Sequence, residues 1–235
     1  MLMMTLTRVR TGLRLVVLAV GIAGLPAYST AQEYRIDDAT ILNLIRRINE
    51  YAVPSKTTQP SDQKDLLRLL DEGRLLISTA ANIRAFRLND NQGTVSKLVQ
   101  ISELDDRSIR ISASLILANV VDNTTLCVVL DRLLQPTEIS DDLRFNLVQV
   151  VRVASRNTTY AENYKWTTAT VEHIRSQIKG RQGDYEKTLS ALQLIETNLA
   201  AMDPALKDRK LGEAYPGIDK ACMELPNIKQ LSAGR

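Results

Sequence analysis

His173 is the only histidine in the 235 residues. Any Ser-His-Asp or Cys-His site would have to use it, and a zinc site built from several histidines is ruled out. Its neighbour Glu172 points elsewhere on a helix, because adjacent residues do not share a face. His173 therefore reads as a surface or hydrogen-bonded helix position rather than as a base. Three acid pairs, Asp37-Asp38, Asp105-Asp106 and Asp141-Asp142, could ligate a cation or form an acid/base couple. Each stands just before a helical pattern, where a carboxylate caps backbone N–H groups and meets the positive end of the helix dipole. No calcium-loop spacing with a terminal Glu accompanies them, and capping is the expected role.

Cys127 and Cys222 are the only cysteines, too few for a disulfide scaffold. Cys127 lies in the apolar stretch LCVVL. It reads either as a buried thiol packing like a small hydrophobe or as a disulfide partner of Cys222 in an oxidising compartment. The tripeptide Asn-Thr-Thr occurs at 123–125 and again at 157–159. It matches the N-glycosylation pattern, but both copies fall where one helix ends and another begins, so capping is the expected use. Tyr160, Tyr164 and Trp166 cluster in a chain with only 4% aromatics and form the candidate interaction surface. The other reading of Trp166 is that it fills the core.

No phosphate-binding glycine loop, nucleophile elbow or paired-cysteine metal motif occurs in the sequence, so no catalytic residue, cofactor or metal site is assigned. A carboxylate-dependent hydrolase of an envelope or extracellular polymer is the enzyme alternative. Two acids about 5 to 10 Å apart leave no fixed spacing in a sequence.

The elements that must position these residues begin with a leader. Arg8, Arg10 and Arg14 precede the apolar run LVVLAVGIAGL at 15–25, and small residues follow up to Ala31. That order predicts a secretory signal peptide over 1–31, cleaved after Ala31, with an uncleaved anchor as the other reading. Its apolar run falls short of the roughly 20 residues a span needs. Residues 1–31 hold three of the 30 basic residues and none of the 27 acids, so the remainder balances at 27 of each. A neutral mature chain gives no support to nucleic-acid binding, and no membrane span is expected after leader removal.

Ile41, Leu44, Ile45 and Ile48 predict a first helix over 38–51, and the prolines of VPSKTTQPSD at 53–62 predict a loop. Residues 62–88 read as two helices broken at Gly73, or as one long helix. NDNQG at 89–93 reads as a turn, followed by a short helix through Leu104. An offset of 34 then sets Ile109 on Leu143, Arg110 on Arg144, Ile111 on Phe145, Leu117 on Val151 and Asn123 on Asn157. Sliding back again sets Leu75 on Ile109 and Ile77 on Ile111, a weaker third copy. A period of this length made of helical segments predicts stacked helix pairs, none of which buries its apolar face alone.

The run Asp106-Arg107-Ser108-Ile109-Arg110, with Ala113 and Leu117 after it, resembles the opening of the second helix of a HEAT or armadillo-type repeat. The second copy keeps Asp142, Leu143 and Arg144 but has Leu147 where that family usually has a small residue. The resemblance covers about residues 62–160, and it implies an α-α superhelix acting as a binding scaffold.

Downstream, Trp166, Ala169, Ile174 and Ile178 predict a further helix, and Tyr185, Leu189, Leu192, Ile195, Leu199 and Met202 form an amphipathic stripe. The expected organisation is a leader at 1–31, an N-terminal helix and linker at 32–61, a HEAT-like region at 62–180, and an amphipathic helix and tail at 181–235. The fold class is all-α, antiparallel helix pairs stacked in a right-handed superhelix. The expected protein is exported, periplasmic or extracellular, and non-catalytic, and it binds another protein. Self-association through the Leu189–Met202 stripe is a further alternative.

Overall fold

Ile41, Leu44, Ile45 and Ile48 recur at helical spacing and are all buried along α1 (Asp38–Glu50). The same device, an apolar stripe turned inward, organises the rest of the chain. The computed structural model describes residues 38–51, 60–89, 92–136, 141–202 and 217–233. The expected leader and most of the proline-containing linker lie outside the described residues. After α1 come α2 (Pro60–Leu76), α3 (Ala80–Asn89), α4 (Gly93–Ile101), α5 (Arg107–Val120), α6 (Leu126–Leu133) and α7 (Asp141–Ser155). Then follow α8 (Ala161–Gln177), a 3-10 turn at Gln182–Tyr185, α9 (Glu186–Ala200), α10 (Ile218–Met223) and α11 (Pro226–Ala233). Among the described residues the chain is all-α, eleven helices with no strand.

The helices pack in two rows. In one row α2, α5, α7 and α9 each touch the next, and in the other α1, α4, α6 and α8 do the same. Contacts between the rows join α1 to α2, α4 to α5, α6 to α7, and α8 to α9. Each such pair is consecutive or nearly so in sequence, and its apolar stripe is covered only when the next pair stacks on it. Leu192, Ile195 and Leu199 of α9 are buried in this way, each contributing about 2 kcal/mol by leaving water. The stripe expected to mediate self-association is therefore occupied inside the stack, where α9 meets α7 and α8.

The offset of 34 relates α5 to α7, which begin at Arg107 and Asp141 and lie side by side. It does not extend upstream. The helix preceding α5 in its row is α2 at 60–76, whereas the supposed third copy straddles the break at 77–79, and its Leu75, near the end of α2, is 70% exposed. The inserted helix α3, which touches α1 and α5, shifts the spacing and hides the repeat. The expected break at Gly73 is also corrected, because α2 runs through it. A β-carbon there would lie 3.3 Å from side-chain carbons of both Leu44 and Ile116. The glycine thus serves the close approach of three helices, which offsets its cost of roughly 0.5–1 kcal/mol in a helix interior. The expected loop at 53–62 also ends earlier, since Pro60 opens α2.

Polar contacts fix the register of the stack. Arg87 of α3 donates to the carbonyls of Asn119, Val120 and Val121, capping the C-terminal end of α5. Arg47 of α1 grips Glu72 of α2 at 2.8 and 2.9 Å, and Arg175 of α8 grips Glu196 of α9 at 2.9 Å twice. Bidentate pairs of this exposure contribute at most about 1 kcal/mol each, but they define orientation.

The two Asn-Thr-Thr stretches meet at the seam between repeats. Asn123 Nδ2 donates to the Asn157 carbonyl and to Thr159 Oγ1, both at 3.1 Å, and its Oδ1 accepts from Thr159 N at 3.2 Å. Asn163 of α8 donates to the Asn123 carbonyl at 2.8 Å. The capping expected of Asn123 is performed one residue earlier, where Asp122 Oδ1 accepts from the backbone N–H of Thr124 and Thr125. Asp122 wins because its charged oxygen is the stronger acceptor, which leaves Asn123 free to cross to the neighbouring repeat.

The C-terminal segment is clipped to α6, in the row of α1, α4, α6 and α8. A disulfide joins Cys127 of α6 to Cys222 of α10, with Cα atoms 5.9 Å apart and a sequence separation of 95. Asp131 of α6 is buried and accepts from Asn227 N at 2.8 Å and Ile228 N at 3.1 Å, capping the start of α11. Gln92 sits in the left-handed region at φ 72°. Its amide donates to the Thr124 carbonyl at 2.8 Å, which ties this strained turn to the next repeat.

A candidate interaction face

α5 buries Ile109, Ala113, Ile116, Leu117 and Val120. Ile111 and Leu115, spaced four apart on the opposite side, are each 42% exposed. On α7 the repeat-equivalent Phe145 is half-buried, and on α9 Leu194 is 47% exposed. Because α5, α7 and α9 adjoin in one row, these side chains belong to one outward face. Two grooves run along it. One, about 510 Å³, is lined by Arg107, Arg110, Ile111, Asp142, Phe145 and Lys187 among others. The second, about 430 Å³, is lined by Phe145, Gln149, Arg152, Ala191 and Leu194 among others.

The starts of the three helices are stitched together at the wider groove. Arg110 Nη1 donates to the carbonyls of Leu104 and Asp105, and Nη2 donates to Asp142 Oδ2 at 3.4 Å. Asp141 Oδ1 accepts from Thr188 of α9 at 3.1 Å. The pair Asp141-Asp142 therefore reaches in two directions, back to α5 and on to α9. It lies in the first turn of α7 rather than ahead of it, so the dipole part of the expected role holds and the capping part is corrected. Asp106 does cap, its Oδ1 accepting from Ile109 N at 2.9 Å.

Arg144, one repeat on from Arg110, is buried and stacks over the Tyr185 ring at 5.3 Å, with Arg181 over the same ring at 5.4 Å. Arg144 donates to Gln177 Oε1 at 3.1 Å, and Gln177 Nε2 lies 2.9 Å from His173 Nε2. Burial lowers the His173 pKa from the usual imidazole value, and the Arg144 guanidinium lowers it further. His173 thus belongs to a hydrogen-bonded chain between α8 and α7. Among the described residues there is no free cysteine and no cluster of acids, histidines and cysteines able to hold a metal ion.

The aromatic surface expected from sequence is corrected. Tyr160 is 6% and Trp166 5% exposed, and Tyr164 is half-buried. The helix α8 packs against α6, α9 and α11, which cover most of these rings. The apolar residues that do face outward had a signal in sequence, a second spacing of four (Ile111, Leu115) out of phase with the core stripe of α5. Comparison with known proteins brings no match, either to a family model, to a curated protein or to a solved structure.

Proposed function

We propose that this chain is an exported, non-catalytic helical-repeat protein of HEAT-like character that binds another protein across the α5–α7–α9 face. One observation carries the reading: three adjoining helices present Ile111, Leu115, Phe145 and Leu194 outward beside two grooves bordered by charged residues. Single exposed apolar residues are ordinary, whereas apolar residues grouped beside grooves on one face mark interaction sites. The Cys127–Cys222 disulfide fits an oxidising compartment and supports export. Asp141 and Asp142, acids that a hydrolase could use, are engaged by Thr188 and Arg110, which favours binding over catalysis.

The test uses residues 32–235 as bait, crosslinked in the native envelope or secretory fraction and compared with the double variant Ile111→Asp, Leu194→Asp. The reading expects a partner recovered by the wild-type chain and lost by the variant, with both melting alike. A partner that the variant retains overturns this face as the binding surface.

A further inference from the structure

The side chain of the strained residue Gln92 reaches the disulfide. Gln92 is the one non-glycine residue with a positive φ among the described residues, and residues held in that region cluster at sites where strain is used. One hydrogen of its amide goes to the Thr124 carbonyl at 2.8 Å. The other faces the sulfur bridge, with Nε2 3.8 Å from Sγ of both Cys127 and Cys222. The two sulfurs differ in what lies behind them. Cys127 is the second residue of α6, where the positive end of the helix favours a thiolate. Cys222 is the last but one residue of α10, at the negative end of its helix. The carboxylates on the Cys127 side, Asp122 and Asp131, are each turned to backbone N–H groups.

We propose that Cys127–Cys222 is a reducible clip with a fixed direction of opening: an incoming thiol bonds to Cys222, and Cys127 leaves as the thiolate. The reductant is a thiol of the glutathione class or the dithiol of a thiol–disulfide oxidoreductase. In the first step a reductant thiolate forms an S–S bond with Cys222 Sγ as the Cys127–Cys222 bond breaks, and the electron pair of that bond stays on Cys127 Sγ. The start of α6 and the Gln92 amide receive the charge, and the better-stabilised thiolate is the better leaving group. In the second step another reductant thiolate attacks the reductant sulfur of the mixed disulfide. Cys222 leaves and takes up a proton, and the reductant departs as its own disulfide, having given two electrons to the two cysteines. Both cysteines are fully buried, so a thiol arrives only when α10 lifts from α6. Little opposes that movement, because α10 buries only Cys222 and α11 only Ile228, and segments that bury so little open well below the free energy of global unfolding. Reduction frees α10 and α11, while the α1–α9 stack keeps its own helix contacts. The clip is independent of the function proposed for the α5–α7–α9 face.

The test maps where the reductant lands. Folded, oxidised protein is exposed briefly to reduced glutathione, quenched in acid with a maleimide, digested, and read by mass spectrometry. The proposal expects glutathione on Cys222 and maleimide on Cys127, favoured about tenfold over the reverse arrangement. In equilibrium mixtures of reduced and oxidised glutathione, Gln92→Leu should shift the constant for reduction about tenfold toward the disulfide, as a lost hydrogen bond to a charged sulfur does. Should Gln92→Leu fail to fold, the adduct map of the wild-type protein decides alone. The proposal is overturned by glutathione found equally on both cysteines or mainly on Cys127, by a bond that glutathione reduces only in denaturant, or by an unchanged reduction constant in folded Gln92→Leu.

Discussion

Asn-Thr-Thr at 123–125 and Asn-Thr-Thr at 157–159 are identical in sequence and unequal in use. The first is held on both sides: Gln92 donates to Thr124 from the preceding turn, and the Asn123 side chain reaches Asn157 and Thr159 of the following one. Its helix also carries the disulfide, two residues on at Cys127. In the second stretch Asn157 is exposed and contributes its backbone carbonyl. A repeated word in a stacked fold thus acquires its function from whichever repeat lies next to it, and side chains at the same position diverge. Arg110 and Arg144 make the same point, the first joining helix starts and the second buried over a tyrosine ring.

The largest test of that asymmetry removes the covalent link beside the first turn. Replacing both cysteines by alanine should lower stability by a nominal 4–5 kcal/mol, as expected for a closed loop of this length. Denaturant unfolding measures it, and a loss under about 1 kcal/mol would show that packing alone holds α10 and α11. The next test compares the asparagines. Asn123→Ala strips hydrogen bonds from three backbone and side-chain groups of the next turn and should cost about 2 kcal/mol, whereas Asn157→Ala should cost under about 0.5 kcal/mol. Equal effects at the two sites would mean that the seam is incidental.

Asp122→Ala, which removes the acceptor shared by Thr124 and Thr125, should cost about 1 kcal/mol, the usual size of a lost cap. A melting temperature unchanged in this variant would return the cap to Asn123 or Thr125. The smallest effect belongs to His173 in the Arg144 chain. Its folded pKa lies below its unfolded value near 6.5, so at acid pH the unfolded chain binds more protons there. This contribution is therefore fully present above the unfolded value and is lost as pH falls through it toward the folded value. Melting temperatures measured from pH 7.5 down to pH 5 should decline less steeply in His173→Gln than in the wild type; parallel curves would remove His173 from the account.

Helical periodicity made most elements legible, because burial follows the 3.6-residue period wherever a helix packs on one side. Asp106 was readable as a cap from its place before Ile109, and the α5/α7 repeat from its offset. Contacts between distant segments were not. Gly73 looks like a breaker in one dimension and is a contact point in three. The insertion of α3 concealed the upstream relative of α5. The spacing of Cys127 and Cys222 gave no sign of their approach, which depends on α10 folding back onto α6. The outward face could have been found from Ile111 and Leu115, whose phase disagrees with the core stripe.

The Cys127–Cys222 bond also determines how the molecule carries load. A force applied to the two chain ends enters α6 and leaves through α10 across the sulfur bridge, so α7, α8 and α9 lie on a loop that bears no tension. The stretch bypassed in this way, a sequence separation of 95, represents roughly 330 Å of contour at about 3.5 Å per residue. That length is withheld from any stretching device until the bridge is reduced, whereupon the molecule lengthens in a single step.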